Sequence, residues 1–291
     1  MDVEKEHKSK SRTSINFMNK YFKKLICVSL ISFYFLKVDQ VKSLVPYYYF
    51  PTIKNLQKQS LSIGQYAYQL LYFGQYEQSI NLAKLAVRIN NTDEKLWLIL
   101  AEAQIANKLY KNALDSLTKA QKINSNNSEI YFAKSNVYLK ISQLQNAKTA
   151  LEKGLSIEPS NHKAFFQLGN IFLMEKNYAE AIKLFDKSLK NKPDFWQAIN
   201  NQGLAYYEQN KINLSIELFE KAISIKDNAE PLLGLASCLR IKDINLAIQI
   251  AKKALIKDPK YVNYDYRKEQ LWGEKLQAST EILLQNDQLQ T

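Results

Sequence analysis

The residues that could carry out catalysis or bind a metal are few in this sequence, and their spacing builds no recognisable reactive site. His7 and His162 are the two histidines, and neither has a nucleophile or a metal-spaced partner nearby. Cys27 and Cys238 form no CxxC motif. The seven glycines are too scattered for a phosphate-binding loop. The sequence therefore predicts a protein that is not an enzyme, with no catalytic residues, no metal site and no cofactor.

The positive charge of the chain is concentrated at its N-terminus. The net charge is +12, and residues 1–59 contain 11 Lys/Arg against 4 Asp/Glu. Farther along, lysines alternate with acids, as in Lys183, Asp186, Lys187 and Lys190. This alternation is typical of a solvated helix face, whereas an RNA-reading repeat needs a polar code at fixed positions in every unit. Nucleic-acid binding is therefore disfavoured and is kept only as an alternative function.

A basic tail at residues 1–24 is followed by an apolar anchor or signal segment at residues 25–45. This second segment begins with an uncharged apolar run from Leu25 to Leu36. The order is typical of a signal anchor or of a secretory signal. Twelve residues rise only about 18 Å as a helix, whereas the hydrocarbon core of a bilayer is about 30 Å thick. A single membrane anchor formed by this run would therefore be short.

The residues after the apolar run leave its processing open. Val41-Lys42-Ser43 would permit cleavage before Leu44, although the usual Ala-x-Ala is missing. Residues 46–59 are predicted to be a linker, and its aromatic run from Tyr47 to Phe50 would suit a membrane interface. Two localisations follow, a membrane-anchored protein or one released into a periplasmic or secretory space after cleavage.

The body of the chain repeats with a constant period of 34 residues. A fixed period is the sequence signature of a repeat architecture, in which each unit buries its apolar face against its neighbours. We call residues that lie 34 positions apart a column. Three columns contain small residues, and a fourth contains mostly large ones. The small columns are Ser79, Ala113, Ala147, Ala181 and Ser215; Ala86, Ala120, Gly154, Ser188 and Ala222; and Ala67, Ala101, Ser135, Gly169 and Gly203; the large column is Ala83, Leu117, Leu151, Phe185 and Phe219.

Each unit of 34 residues is predicted to contain two amphipathic helices. In residues 162–195, Phe165 and Phe172 fall on one helix face, and Ala181 and Phe185 fall on a second. Small residues let the two helices approach closely, while the large ones fill the space between them. Prolines end the second helix where the period requires an end, at Pro159, Pro193 and Pro259.

These residues resemble the tetratricopeptide repeat signature in order and spacing, most completely at Phe165, Leu168, Gly169, Phe172, Ala181, Phe185 and Pro193. The resemblance implies an all-α, right-handed superhelical solenoid of about six helix-turn-helix units. It covers residues 60–261, with units that start near Ser60, Glu94, Ser128, His162, Trp196 and Glu230. The last unit is two residues short, which predicts a trimmed turn near Lys242.

Residues 262–291 are predicted to form a capping helix and a polar tail. Trp272, Leu276, Ser279 and Leu283 mark one face of a helix whose other positions are polar. A stacked solenoid needs such a helix to cover its last apolar face. Trp272 is therefore predicted to be a core residue and not a ligand anchor.

The resemblance also implies where a partner binds, because the first helix of each unit lines the concave side in this family. Asparagine amides there can donate to and accept from a peptide backbone. Phe166 stands where the subfamily with a two-carboxylate clamp has a lysine, so we expect a mixed aromatic and amide groove. The predicted partner-binding residues are Tyr68, Lys95, Leu98, Glu102, Phe132, Asn136, Lys163, Phe166, Asn170, Asn200 and Tyr207.

The expected function is a non-catalytic scaffold that binds a segment of another protein in its concave groove. The layout of a basic tail, an apolar segment and a repeat array is similar to membrane-anchored tetratricopeptide proteins of cyanobacteria and plastids. That similarity implies a membrane-tethered adaptor that acts in photosystem assembly or chlorophyll synthesis. The alternatives are an exported periplasmic or luminal scaffold and an RNA-associated helical repeat protein.

Overall fold

The computed structural model describes residues 52–289, in which every regular element is helical. The basic tail, the apolar segment and residues 46–51 of the predicted linker lie outside this range. No helix within residues 52–289 is both long and apolar enough to cross a membrane. Twelve helices form six consecutive pairs: α1 (Ile53–Tyr72) and α2 (Tyr76–Ile89), α3 (Glu94–Ala106) and α4 (Tyr110–Ile123), α5 (Ser128–Lys140) and α6 (Leu144–Ile157), α7 (His162–Met174) and α8 (Tyr178–Asn191), α9 (Trp196–Glu208) and α10 (Ile212–Ile225), and α11 (Ala229–Leu239) and α12 (Ile244–Lys257).

The six pairs confirm the predicted solenoid. The two helices of each unit pack against each other, and each first helix also packs against the preceding unit. Units two to five begin at the predicted residues, and unit six begins one residue early, at Ala229. Unit one differs more, because α1 begins at Ile53, where the Thr52 hydroxyl accepts a hydrogen bond from the Asn55 backbone N–H at 3.3 Å. Residues 53–59, predicted as linker, therefore belong to the first helix.

Glycine and phenylalanine compensate each other where the two helices of a unit meet. A Cβ atom added at Gly169 would lie 2.6 Å from the ring of Phe185, and one added at Gly203 would lie 2.9 Å from the ring of Phe219. In unit two, Ala101 takes the place of the glycine and Leu117 takes the place of the phenylalanine, so a larger first residue faces a smaller second one. Because packed interiors tolerate neither voids nor overlap, the two columns vary together and keep the helix spacing constant.

Serine replaces alanine in one small column without leaving a buried hydroxyl unpaired. The Ser79 hydroxyl donates to the Ala67 carbonyl, and the Ser215 hydroxyl donates to the Gly203 carbonyl, both at 2.7 Å. Each bond joins the two helices of one unit. Buried hydroxyl groups need such partners, so serine is accommodated here together with alanine.

The turn between the two helices of a unit is the same in units one to five. One residue adopts a left-handed conformation, and the next donates its N–H to a carbonyl in the last turn of the first helix, as from Leu109 to Gln104 at 2.8 Å. Unit six has no such left-handed residue, because α11 is two residues shorter than α9 and the turn is trimmed near Lys242, as predicted. The left-handed residues are Gly74, Lys108, Ser142, Lys176 and Asn210.

The C-terminal segment differs from the single end cap predicted for it. It contains a 3₁₀ turn at Pro259–Val262, the helices α13 (Tyr264–Glu269) and α14 (Glu274–Leu284), and a second 3₁₀ turn at Asp287–Leu289. The two 3₁₀ turns pack against α12, the last helix of the solenoid, whereas α14 packs against α9 and α11. Trp272 is 4% exposed, which confirms it as a core residue.

The core is divided unevenly along the solenoid. One continuous apolar cluster extends from α7 and α8 through unit six into Trp272, Leu276 and Leu283 of the C-terminal segment. Units one to four contain three smaller clusters, each shared between neighbouring units. The second half of the solenoid is therefore held by a larger connected core than the first.

Candidate partner-binding groove

The first helices of units one to four border a cavity of about 800 Å³, which we call the open groove. It extends from α1 across α3 and α5 to the start of α7. The residues of its wall recur every 34 positions, because residues one period apart take equivalent places on consecutive first helices. Seven of the predicted residues line it: Tyr68, Lys95, Leu98, Glu102, Phe132, Asn136 and Lys163.

The floor of the open groove is apolar and its mouth is aromatic. Leu98 is 7% exposed, and Ile105 and Ala133 are partly buried beside it. Phe132 is also partly buried, because its ring packs against Gly154 in α6. Tyr68 is 53% exposed and keeps both its ring and its hydroxyl available. Such a surface can take up apolar side chains while the rim makes polar contacts.

Charges of both signs alternate along the open groove. Lys95, Glu129 and Lys163 occupy the same place in units two, three and four. Desolvation by the surrounding helices raises the pKa of the Glu102 carboxyl group, and the nearby Glu129 carboxylate raises it further. Within residues 52–289 no Lys or Arg side chain forms an ion pair with Glu102, so a cationic group of a partner would stabilise its negative charge.

The asparagines of the open groove have different tasks. The side-chain oxygen of Asn127 accepts from the Glu129 N–H at 3.0 Å, and that of Asn161 accepts from the Ala164 N–H at 2.9 Å, so both cap helices. Asn136 makes no such bond within residues 52–289. Its amide is available to a partner's backbone, which both donates and accepts hydrogen bonds.

The four remaining predicted residues do not line the open groove. Phe166 packs on the rings of Phe185 and Phe195, with centroids 5.9 Å and 5.0 Å away. Asn170 is partly buried and accepts a hydrogen bond from the Asn201 amide at 2.8 Å. Because both amides are engaged with each other, this pair is not arranged as a free carboxylate clamp.

Asn200 and Tyr207 correct the sequence-based prediction most clearly. Asn200 is fully buried and donates to the Asn201 side-chain oxygen at 3.1 Å. Tyr207 is half-buried, and its pKa is raised by burial and partly restored by a hydrogen bond with Ser279 of α14. In units five and six the face equivalent to the open groove is therefore occupied by the chain's own C-terminal helix, and neither residue is free to meet a partner.

Sequence reasoning missed the residues that hold this helix. Glu208 is 6% exposed and its carboxylate accepts from the Leu276 N–H at 2.9 Å and from the Lys275 N–H at 3.3 Å. The sequence feature that could have indicated this role is the acid at the last position of α9. Units one to four have no acid there; their residues are Tyr72, Ala106, Lys140 and Met174.

The described residues contain neither a metal-binding cluster nor a reactive thiol. Within residues 52–289 no group of three or more His, Cys, Asp or Glu side chains is placed to hold a metal ion. Cys238 is buried, and burial raises the pKa of its thiol to about 12, so it carries no reactive thiolate. The lining of the open groove consists of apolar side chains, amides and charges of both signs.

A family model matches the central part of the chain. The tetratricopeptide repeat model matches residues 132–195 and 177–231, which include most of units three, four and five. No curated protein sequence matches the chain.

Solved structures share the fold at low sequence identity. PilF of Pseudomonas aeruginosa is similar with a TM-score of 0.63 and 18% identity, over 76% of this chain and 99% of that one. MamA from Desulfovibrio magneticus has a TM-score of 0.54 and 20% identity, over 60% of this chain and 96% of that one. YrrB, described as a TPR protein with an unusual peptide-binding site, has a TM-score of 0.50 and 18% identity, over 69% of this chain and 98% of that one.

Proposed function

We propose that this chain, whose repeats are tetratricopeptide repeats, is a non-catalytic scaffold that binds an extended or helical segment of another protein in the open groove. The observation that supports this function is the continuous cavity across four units, with an apolar floor and alternating charges along its wall. Peptide segments combine apolar side chains with a polar backbone, and this surface matches both. A few residues near its centre are expected to supply most of the binding energy.

The composition of the groove also limits the kind of partner. Alternating Lys95, Glu129 and Lys163 suit a segment that itself carries both signs of charge, and they give no uniformly basic path for nucleic acid. The uncompensated Glu102 favours a segment that places a lysine or arginine beside it. We therefore expect the partner segment to be amphipathic and at least partly basic.

The test is a triple substitution in one column of the groove. Tyr68→Ala, Glu102→Ala and Asn136→Ala remove equivalent side chains from units one, two and three, and all three lie at the surface of the groove. After affinity capture and identification of the partner, calorimetry with its binding segment should show affinity reduced at least about tenfold. Losses of about 1 kcal/mol or more at central contacts would account for that change.

The matched control uses another column with the same period. Lys84→Ala, Thr118→Ala and Glu152→Ala change three exposed residues of the second helices in units one, two and three. This variant should bind as the wild type does, and both variants should keep the same helical circular dichroism. Equal affinity of the groove variant and the control would contradict the assignment.

Membrane tethering and a role in assembly are part of the same proposal. The basic tail at 1–24 and the apolar run at 25–36 support a tether, which would concentrate the partner at a bilayer without adding contacts. Mass spectrometry of the N-terminus of the native protein separates the two interpretations. An intact start supports the anchor, whereas a start at Leu44 supports export into a periplasmic or luminal space.

A further inference from the structure

Helix α14 is held on the solenoid by polar contacts at its N-terminus. The Glu208 carboxylate accepts from the backbone N–H groups of Lys275 and Leu276 in the first turn of α14, and the Lys275 ammonium donates to the Glu208 carbonyl at 2.7 Å. A carboxylate is favoured there because helix N-termini carry a partial positive charge. Gly273 precedes the helix, and a Cβ atom added at this position would overlap the Glu208 carboxyl group, which would then have to shift away from the start of α14.

Hydroxyl groups join the middle of α14 to α11. Ser279 donates to the Ser237 carbonyl at 2.9 Å, and the Ser237 and Thr280 hydroxyl oxygens are 2.7 Å apart. The Arg240 guanidinium donates to Ser279 at 3.3 Å. This contact depends on hydrogen bonds that a partner helix with the same small residues could reproduce.

The buried face of α14 is more polar than that of a solenoid helix. Its buried residues are Leu276, Gln277, Ser279, Thr280 and Leu283, three of which are polar. The buried residues of α12 are Ala247, Ile248, Ala251 and Ala254, all apolar. Leu276 and Leu283 join the continuous core, but the three polar residues give the contact of α14 the mixed composition that is typical of a reversible interface.

The surface under α14 continues the open groove. Tyr207 lies three periods after Ile105, and Glu208 lies three periods after Ala106; both of the earlier residues line the open groove. The solenoid therefore presents one kind of surface along its length, open in the first units and covered by a helix in the last two.

We propose that α14 is an intramolecular ligand and that the surface of units five and six beneath it is a second docking surface, which accepts a partner helix in its place. The helix that fits has a glycine before its first turn, leucines seven residues apart and two small hydroxyl residues between them. This is the pattern of Gly273, Leu276, Ser279, Thr280 and Leu283. The proposal concerns units five and six and goes beyond the partner of the open groove.

The connection ahead of α14 is suited to releasing it. Leu271 has a φ of 67°, a left-handed conformation that disfavours residues with a Cβ atom. Trp272 is buried on the near side of Gly273, and the Arg267 guanidinium is held there by the Tyr261 and Val262 carbonyls. Arg267 also donates to the Gln277 and Glu281 side chains of α14, so a partner helix must replace these two bonds. A hinge at residues 271–273 would then free α14 while Trp272 stays packed.

A disulfide lock tests the exchange in the full chain. Ser237→Cys and Thr280→Cys, in a background with Cys27→Ser and Cys238→Ala, place two thiols where the wild type has hydroxyl oxygens 2.7 Å apart. The probe is a fluorescent synthetic peptide with the sequence of residues 273–285. We expect the reduced chain to bind the peptide at least tenfold more tightly than the oxidised chain, in which α14 cannot leave.

Gly273→Ala provides a second variant that needs no disulfide. The added Cβ atom displaces the Glu208 carboxylate, so we expect severalfold tighter binding of the peptide and faster amide exchange in α14 than in the wild type. The groove variant with Tyr68, Glu102 and Asn136 changed to Ala should bind the peptide as the wild type does, which separates this proposal from the proposed function.

The opposite results would overturn the proposal. Equal peptide binding by the oxidised and reduced chains would mean that the peptide binds elsewhere. Amide exchange in α14 as slow as in α12, together with no gain in binding for Gly273→Ala, would mean that α14 is a permanent part of the core.

Discussion

Glu230 shows how a single buried residue connects the solenoid to its C-terminal segment. It lies in the first turn of α11 and accepts a hydrogen bond from the Trp272 indole N–H at 3.4 Å. Burial raises the pKa of the Glu230 carboxyl group to about 7, although hydrogen bonds from Asn200, Trp272 and Tyr261 oppose this shift. At neutral pH the carboxyl group is thus near the midpoint of its titration while it contacts the segment that carries α14.

We predict that Glu230 makes the folded state less stable as the pH rises. The unfolded carboxyl group loses its proton near pH 4.5 and the folded one near pH 7. Between these values the folded state binds more protons, so the contribution of Glu230 is complete below pH 4.5 and is lost as the pH rises to about 7. Melting temperatures of the wild type and Glu230→Gln from pH 4 to 8 should diverge over this range. A constant difference between the two proteins would contradict the prediction.

The helix-to-helix turns show how the same element is built from different residues. Gly74 takes the left-handed conformation without strain, whereas Lys108 and Ser142 adopt it at φ values of 60° and 59° despite their Cβ atoms. Their cost is tolerated because the turn returns the chain at the distance that the packing of the two helices requires. The hydrogen bond that follows also satisfies a carbonyl at the helix end.

We predict that Lys108→Gly stabilises the protein. Left-handed residues other than glycine cost about 1–2 kcal/mol, part of which is offset by the greater entropy of glycine in the unfolded chain. The expected gain in the free energy of unfolding is about 0.5–1 kcal/mol, measured by urea denaturation. Gly74→Ala is the reverse control and should lose about 1 kcal/mol. A loss of stability in Lys108→Gly would show that the lysine side chain makes a contact that outweighs the strain.

At the scale of the whole molecule the two halves of the solenoid differ in how they are held together. Units four to six and the C-terminal segment share one apolar cluster, whereas the first units depend on smaller clusters between neighbours. Repeat proteins derive their stability from such nearest-neighbour contacts, so cooperativity follows the continuity of the core. The half that contains the open groove is therefore the less strongly connected half.

We predict that unfolding begins in units one to three. Amide exchange should be faster in α1 to α5 than in α9 to α12, and heating should give two transitions. Leu96→Ala, in the first cluster, should lower only the earlier transition, while Phe219→Ala, in the shared cluster, should lower the later one. Each substitution leaves a cavity that costs about 2–5 kcal/mol. A single transition that both variants shift equally would contradict this division.

The period made the solenoid predictable and left its C-terminal end uncertain. Columns of small and large residues that can pack in only one register predicted where units two to five begin. These units begin at Glu94, Ser128, His162 and Trp196. Trp272 was also predictable as a core residue, because it marks the apolar face of its segment. The position of α14 could not be predicted, because residues 262–291 lie outside the period. A single amphipathic face does not reveal which surface the helix covers.

The candidate site was also predictable only where it follows the period. Seven predicted residues lie together around one cavity because each belongs to a column of the repeat. Asn200 and Tyr207 also belong to columns whose earlier members line the groove, but Asn200 is buried against Asn201 and Glu230, and Tyr207 contacts Ser279, which lies 72 residues farther along the chain. Local pattern fixes the direction of a side chain, whereas long-range contacts decide whether solvent reaches it.

The placement of α14 links the number of repeats to the length of the surface that is open to a partner. Because docked α14 covers the last two units, the length of the uncovered surface is set by how many units precede them. Duplicating residues 162–195, which form one complete period, would lengthen that surface by one unit and leave both ends unchanged. The reach of the scaffold along a partner would thus change in fixed steps when whole periods are inserted or deleted, and the interface between the two copies of the duplicated unit would be the one new contact.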